Sequence, residues 1–392
     1  MNRVFIAHAG VVSALGRGLD TLYRGLIKEK NGFSRVNRFS TASYVSDIAG
    51  LIPGLSLTKA GAMESAVIEL AMGLIRELPH ELSQQIKIGR LITASTKGGI
   101  DLLRTDSFFA TSSDRQNGLP ASAARGLPVS SLTANITREI GIKKTGFNIS
   151  AACASSTIAL AKAGELIRSG REHTVAVLAM DLVTEFVFSG FSAIGSMGPG
   201  PAMPFDRHRQ GLTLGEGAAL IVLTSREPLA RKHNPAPSEM AGWGIAGDAA
   251  HLAAPDKMAA GLKTAILQAC KTAKISPERI GIISTHGTGT VYNDAMELKA
   301  INDLFPSKAV MANSIKGSIG HTLGASGAIE AALCTKLLEE KTLPGTKGLI
   351  DPEQGAVPIF SSRNRTFETT PVLTINSGFG GINAALIFQV LP

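Results

Sequence analysis

Only three cysteines, Cys153, Cys270 and Cys334, occur in the 392 residues. Their odd number and wide spacing exclude a disulfide framework and a paired Cys-x-x-Cys metal motif. No metal is expected, and a reducing cytoplasm is the expected setting. Aromatic residues amount to 5%, with a single tryptophan, and the basic residues are scattered rather than clustered. A nucleic-acid surface needs both in concentrated form, so that class is excluded. No apolar run reaches the ~18 residues of a membrane-spanning helix. The opening stretch, Met1 to Gly10, lacks the long apolar segment of a secretory signal and reads as a first core strand. No Gly-x-x-x-x-Gly-Lys-Ser/Thr loop occurs and no dinucleotide-binding strand-to-helix turn is expected, so no nucleotide cofactor is indicated.

What is present describes a well-folded chain. Hydrophobic residues make up 44% and charged residues 18%, and there are 42 glycines. Such a chain has length enough for two domains or one duplicated unit. Its net charge of +8 is diffuse. A basic surface of this kind suits an acidic protein partner.

Short β-branched runs alternate with longer Ala/Leu-rich stretches. Val4 to Ile6, Ile88 to Thr93, Val175 to Ala179 and Ala218 to Leu223 are expected as buried strands. Leu57 to Leu78 and Ala154 to Ser169 are expected as helices, the second stopped by Gly170. The alternation points to an α/β architecture with buried sheets. The polar, proline-bearing segment Ser225 to Ser238 is the expected boundary, dividing the chain into halves 1–228 and 229–392. A weak echo links them. Asn148-Ile-Ser-Ala-Ala-Cys153 leads into one Ala-rich helix, and Gly317-Ser-Ile-Gly-His321 leads into another ending near Leu338.

Four motifs carry chemistry. Cys153 precedes a helix on a turn of small residues, where free N–H groups and the helix dipole favour a thiolate. That placement predicts a thiol pKa below the ordinary value. In Ser284-Thr-His286-Gly-Thr288-Gly-Thr290, an apolar strand expected over Ile280 to Ile283 delivers a histidine onto a loop of little bulk and several hydroxyls. Asn293, Asp294 and Glu297 follow. In Asn313-Ser-Ile-Lys316-Gly-Ser-Ile-Gly320-His321, Lys316 is a natural partner for Glu330, and an ion pair beside imidazoles tunes their protonation. Near the C-terminus, Asn376-Ser-Gly378-Phe379-Gly380-Gly381 places one aromatic ring among glycines.

Together these motifs resemble the β-ketoacyl-acyl carrier protein synthases, the elongating Cys-His-His condensing enzymes of the thiolase superfamily. Val11 to Gly16, Pro204-Phe-Asp, Gly215-Glu-Gly217 and the loop from Gly247 to Pro255 extend the likeness over nearly the whole chain. The resemblance implies a five-layered αβαβα fold built from two duplicated halves. It implies decarboxylative Claisen condensation of a Cys153-bound acyl group with a malonyl thioester on an acyl carrier protein. Cys153 would be the nucleophile, and His286 and His321 would assist decarboxylation. Lys316, paired with Glu330 and supported by Asp294, would hold the electrostatics. The backbone N–H groups of Cys153 and Phe379 would form an oxyanion hole. Thr288, Thr290, Phe379 and Phe191 would bind substrate, with Phe379 as the gate of the acyl pocket. No cofactor is implied beyond the phosphopantetheine that arrives on the carrier. The expected assembly is a homodimer, or a heterodimer with a chain-length-factor-like subunit.

Departures from the family pattern concern shape rather than chemistry. Gln210 stands where an acidic residue is usual, Ala253 where threonine is, and Met180-Asp181 where a Gly-Gly turn is common. Gly61-Ala62 replace an Arg/Arg pair implicated in carrier docking. Ser377 replaces a second phenylalanine, which predicts a wider or wetter pocket mouth. A specialised polyketide, polyene or lipid pathway therefore stands beside housekeeping fatty-acid elongation. Two other readings lose on named residues. A biosynthetic thiolase needs a second, proton-handling cysteine in a C-terminal loop, and Cys334 falls within an apparent helix. A non-enzymatic chain-length-factor-like subunit would lack Cys153.

Overall fold

The structure is a computed structural model and describes residues 1–57, 65–80, 82, 87–102, 128–144, 146–227, 238–305 and 310–390. Gly61-Ala62 and most of the expected inter-half boundary, 228–237, lie outside the described residues.

Among the described residues, ten strands build the core: β1 (Phe5–Ser13), β2 (Arg90–Ala94), β3 (Phe147–Ile149), β4 (Thr174–Asp181), β5 (Gly217–Thr224), β6 (Ser238–Gly247), β7 (Ile282–Ser284), β8 (Met311–Asn313), β9 (Val372–Gly378) and β10 (Ile382–Val390). The first five run in the order β1-β5-β4-β2-β3, and the second five in the order β6-β10-β9-β7-β8. Pairing sense repeats as well. β1–β5 and β5–β4 are antiparallel while β4–β2 and β2–β3 are parallel. Likewise β6–β10 and β10–β9 are antiparallel while β9–β7 and β7–β8 are parallel. The chain is thus two copies of one α/β unit. The sheets meet edge to edge where Phe5 of β1 pairs with Glu239 of β6.

Helices fill three layers around these sheets. α1 (Leu19–Ile27), α4 (Ser155–Arg168) and α8 (Ser326–Glu340) contribute to the largest apolar cluster, between the two sheets. α2 (Ala66–Arg76) and α3 (Val129–Glu139) cover the outer face of the first sheet. α6 (Ala260–Ala273) and α7 (Val291–Leu304) cover that of the second. Strands β4 and β5 are buried at every residue, as strands covered on both faces must be. Every residue of α8 from Ser326 to Leu338 is buried too, which explains its weak amphipathicity.

Small residues permit these close approaches. A Cβ at Gly327 would stand 1.9 Å from Thr157 Oγ1, so α4 and α8 touch through that glycine. Gly242-Trp-Gly244-Ile-Ala-Gly247 has dinucleotide-loop spacing, yet it lies inside β6 rather than at a strand-to-helix turn. Its first two glycines admit the α6 backbone: Cβ atoms there would come within 2.2 Å of Ala269 O and 2.0 Å of Ala265 O. The expected elements are present with adjusted ends. The helix expected from Leu57 to Leu78 runs instead from Ala66 to Arg76, because Ser65 is extended and its Oγ caps the helix by accepting Val67 N–H at 3.2 Å. His286 arrives on a three-residue strand, Ile282–Ser284, rather than one beginning at Ile280.

Candidate active site

Cys153 sits between β3 and α4, two residues before the helix begins. The preceding Ala152 adopts φ 47°, a strained conformation for a residue with a Cβ, and it turns the chain sharply into the helix. Ser155 pins the turn: Ala151 N–H donates to its Oγ at 2.8 Å, and Oγ–H donates to Ala152 O at 2.5 Å.

His321 holds the matching place between β8 and α8. Its backbone is gripped by the first half: His321 N–H donates to Thr213 O at 2.8 Å, and Gly215 N–H donates to His321 O at 3.0 Å. The turn that follows is anchored by Asp181 at the end of β4, whose carboxylate accepts from Gly324 N–H at 2.8 Å. His321 Nε2 lies 3.0 Å from Cys153 Sγ. Its Nδ1 accepts the Leu323 N–H at 3.2 Å. A neutral imidazole whose Nδ1 is an acceptor carries its proton on Nε2. His321 therefore donates toward the sulfur and does not remove its proton.

His286 stands edge-on to His321, with ring centres 5.0 Å apart. Glu297 at the start of α7 accepts His286 N–H at 2.8 Å and Gly287 N–H at 2.6 Å. Asp294 accepts Gly289 N–H and, at 2.8 Å, Phe205 N–H. These carboxylates hold the histidine loop. Burial and neighbouring Asp294 push Glu297 up to about 8. Lys316 Nζ and Glu330 Oε1 are 2.5 Å apart, both buried.

Burial governs the titrations. It pushes the Cys153 thiol up to about 12, against the pull of the Lys316 charge. The expectation of a depressed thiol pKa is thus corrected: a helix start and a lysine do not compensate for removal of the sulfur from water. Burial, with Lys316 second, holds His321 well below the ordinary histidine range. His286 is lowered for the same reasons, with His321 adding to them. Both rings are neutral at physiological pH.

A pocket of about 330 Å³ opens onto this cluster and is lined by Cys153, His286, His321, Thr288, Thr290, Phe191 and Phe379, among others. Thr288 and Thr290 hydroxyls lie 2.9 Å apart on one wall. Phe379 is half-exposed at the mouth, its ring 5.9 Å from that of Phe191, which stands edge-on to His321 at 6.4 Å. Gly378 abuts the nucleophile, since a Cβ there would lie 3.2 Å from Cys153 N. The loop after β6 faces Phe379, and Leu252 O accepts Gly380 N–H at 2.7 Å. Ser377 lines the pocket, but its hydroxyl donates to Asn383 Oδ1 at 2.7 Å, and Asn383 Nδ2 donates to Asp248 Oδ1 at 2.7 Å. The serine expected to loosen the mouth is instead tied into a chain that joins the glycine turn to the facing loop.

Cys153, His286 and His321 also offer ligand atoms within 4.8 Å of one another, a spacing that a soft divalent cation could bridge. The proton on His321 Nε2 opposes such ligation.

Cys153, His286, His321, Thr288, Thr290, Phe191 and Phe379 line one pocket, with the Lys316–Glu330 pair and Asp294 buried behind it. Asn376 was passed over: it is quoted in the glycine-turn motif but given no task. Its Nδ2 donates to Glu330 Oε2 at 2.7 Å and lies 3.1 Å from His286 Nδ1, while Thr157 Oγ1 donates to its Oδ1. The available signal was an amide side chain in a strand that is buried from Val372 to Asn376. Ser326, 3.2 Å from His321 Nδ1, carried no signal beyond standing at a helix start.

The family model described as "Beta-ketoacyl synthase, N-terminal domain" matches residues 1–228, and "Beta-ketoacyl synthase, C-terminal domain" matches residues 238–349. The chain belongs to the beta-ketoacyl synthase family. It is 27% identical to a 3-oxoacyl-[acyl-carrier-protein] synthase 2 of Coxiella burnetii, an alignment covering 99% of this chain and 98% of that one. Among solved structures it is similar to the ishigamide ketosynthase/chain length factor, with TM-score 0.88, 26% identity and full coverage of both chains. It is also similar to a ketosynthase in complex with its chain length factor from Xenorhabdus doucetiae, with TM-score 0.82 and 27% identity over 100% of this chain and 98% of that one. These relatives share the thiolase-like fold. Among the described residues, no helix is long and apolar enough to cross a membrane.

Proposed function

We propose that the protein joins an acyl group held on Cys153 to a malonyl-acyl carrier protein, with loss of carbon dioxide, in fatty-acid or specialised polyketide, polyene or lipid synthesis. The observation that carries this reading is the convergence of one buried thiol with two buried imidazoles, His286 and His321, on one pocket.

In the first half-reaction Sγ attacks the acyl thioester carbonyl, and the carrier thiol leaves with the cysteine proton. The Cys153 and Phe379 N–H groups receive the developing oxyanion, an interaction worth about 3–4 kcal/mol in comparable sites. In the second, the malonyl thioester binds with its carbonyl oxygen between His286 and His321. Two N–H donors stabilise the enolate formed as carbon dioxide departs. The enolate carbon attacks the Cys153-bound acyl carbonyl, the Cys153–acyl bond breaks, and the sulfur recovers a proton. No nucleotide or metal is needed: the pantetheine arm arrives on the carrier and lies along Thr288 and Thr290.

Lys316 and Glu330 keep both histidines neutral and fixed. Phe379 admits the acyl chain. The thiolase reading is not favoured, since Cys334 is buried inside α8 and no second thiol reaches the pocket among the described residues. A chain-length-factor role is not favoured either, since nucleophile and histidines are in place.

A dimer is the working assembly, homotypic or with a chain-length-factor-like partner. Strand β3 ends its sheet and leaves an edge of the kind a second subunit extends. A cytoplasmic setting suits three unpaired, buried cysteines. Intact-protein mass after incubation with a panel of acyl carriers tests the central reading. One acyl mass on the parent and none on Cys153→Ala is expected, and equal labelling of both overturns it.

A further inference from the structure

We infer that Asn376 is a positioning residue that locks His286 into the Nε2–H form and links it to the Lys316–Glu330 ion pair. This deepens the proposed reaction and rests on that reading for its catalytic meaning, but the tautomer itself can be measured without turnover.

The Asn376 amide is fully buried. Asn376 faces three groups from three different elements: Glu330 on α8, Thr157 on α4 and His286 on the loop after β7. Only one orientation satisfies them all. A carboxylate can only accept, so the Glu330 side must receive NH₂, and the Thr157 hydroxyl then donates to Oδ1. The second hydrogen of the NH₂ group is left for His286 Nδ1, 3.1 Å away. Nδ1 therefore accepts, and the ring's single proton sits on Nε2.

The same result is reached at His321 by a backbone N–H, that of Leu323, which does not depend on any side chain. At His286 it depends on one side chain. Glu330 in turn is oriented by Lys316 on its other oxygen. The ion pair thus acts on His286 through Asn376 as well as through its field. Without that amide the ring is free to place its proton on Nδ1, and Nε2 becomes an acceptor facing an enolate oxygen. One of two donors is lost.

The test uses full-length protein carrying ¹⁵N-labelled histidine, with the His286 signals assigned by their absence in His286→Gln. The parent should show a protonated Nε2 and an unprotonated Nδ1. Asn376→Asp places a carboxyl against Glu330 Oε2, where the two share one proton, and leaves an oxygen lone pair toward His286 Nδ1, so the ring proton should move to Nδ1. Its carbon dioxide release from a malonyl thioester should fall about 100-fold, the usual effect of losing one preorganised donor. Acylation of Cys153 should be largely retained. The pH profile of release should gain an acid limb, because a neighbouring carboxylate raises a histidine pKa.

Asn376→Leu keeps the volume and offers neither donor nor acceptor. It should show mixed tautomers and a smaller loss, and it serves if the charged variant does not fold. A parent spectrum with Nδ1 protonated overturns the proposal outright, with no variant required. So does a parent-like His286 tautomer in either variant, or a moved proton with unchanged release. If the parent itself releases no carbon dioxide, the condensing reaction fails instead, and the parent spectrum alone decides what Asn376 does.

Discussion

The two halves of this molecule carry the same strand-turn-helix at the same topological place, yet each does something different with it. In the first half, Cys153 follows β3 by four residues and enters α4 almost at once, through the strained Ala152. In the second, a helical turn at Lys316–Ile319 and a 3-10 turn at Leu323–Ala325 intervene between β8 and α8. The direct turn exposes one atom at a helix start, which suits a nucleophile. The elaborated turn makes room for Lys316 inside the protein and for a histidine whose far nitrogen is satisfied by its own chain. Duplication thus supplied two helix starts facing one pocket, and the local insertion divided the labour between them.

Four measurements can break or sharpen that contrast. The largest effect should come from Cys153→Ala, which removes the covalent intermediate and should lower condensation by at least about 1,000-fold. Next, His286→Ala and His321→Ala should each slow carbon dioxide release by about 100- to 1,000-fold. They should differ in the first step: His321 touches the sulfur, so His321→Ala should also slow acylation, while His286→Ala should spare it. Equal acylation rates in the two would erase the distinction between the histidines.

Third, Lys316→Ala strands a buried Glu330 and should cost about 3–5 kcal/mol in chemical denaturation. Lys316→Met combined with Glu330→Leu should be far less destabilising, because no charge is then left unpaired. The double variant should remain inactive. Fourth and smallest, Gly327→Ala forces a methyl into Thr157 where α4 crosses α8, and should cost about 1–3 kcal/mol. Unchanged stability there would mean that the central helices are not tightly matched.

A pH profile sharpens the assignment of protons. Both histidine pKa values are depressed, so each ring is neutral above and around its ordinary titration range. Carbon dioxide release by the acylated enzyme should therefore show no inflexion near pH 6.5. Acyl transfer should keep rising into alkaline solution, since the thiol is pushed up to about 12. An acid limb at the ordinary histidine value would place a titrating base in the site.

Much of this was legible in the residues themselves. The small-residue turn at Cys153, the glycine-rich histidine loops and the Lys316–Glu330 spacing all announced unusual local backbone, and the echo between the halves was visible at their helix starts. Three features were not. Strand pairing between β1 and β6 is a long-range contact that no local pattern encodes. The thiol pKa depends on burial by residues distant in sequence, so a local helix-dipole argument gave the wrong sign. Asn376 and Ser377 owe their tasks to partners on other elements, Glu330 and His286 for one and Asn383 for the other.

Release of carbon dioxide depends on the histidine donors and does not need the Cys153 sulfur. Carbon dioxide release from malonyl thioester by Cys153→Ala tests it most directly. The donors remain in that variant, so release should persist within about tenfold of the parent while acylation vanishes. Release falling as far as it does in His286→Ala would contradict the division.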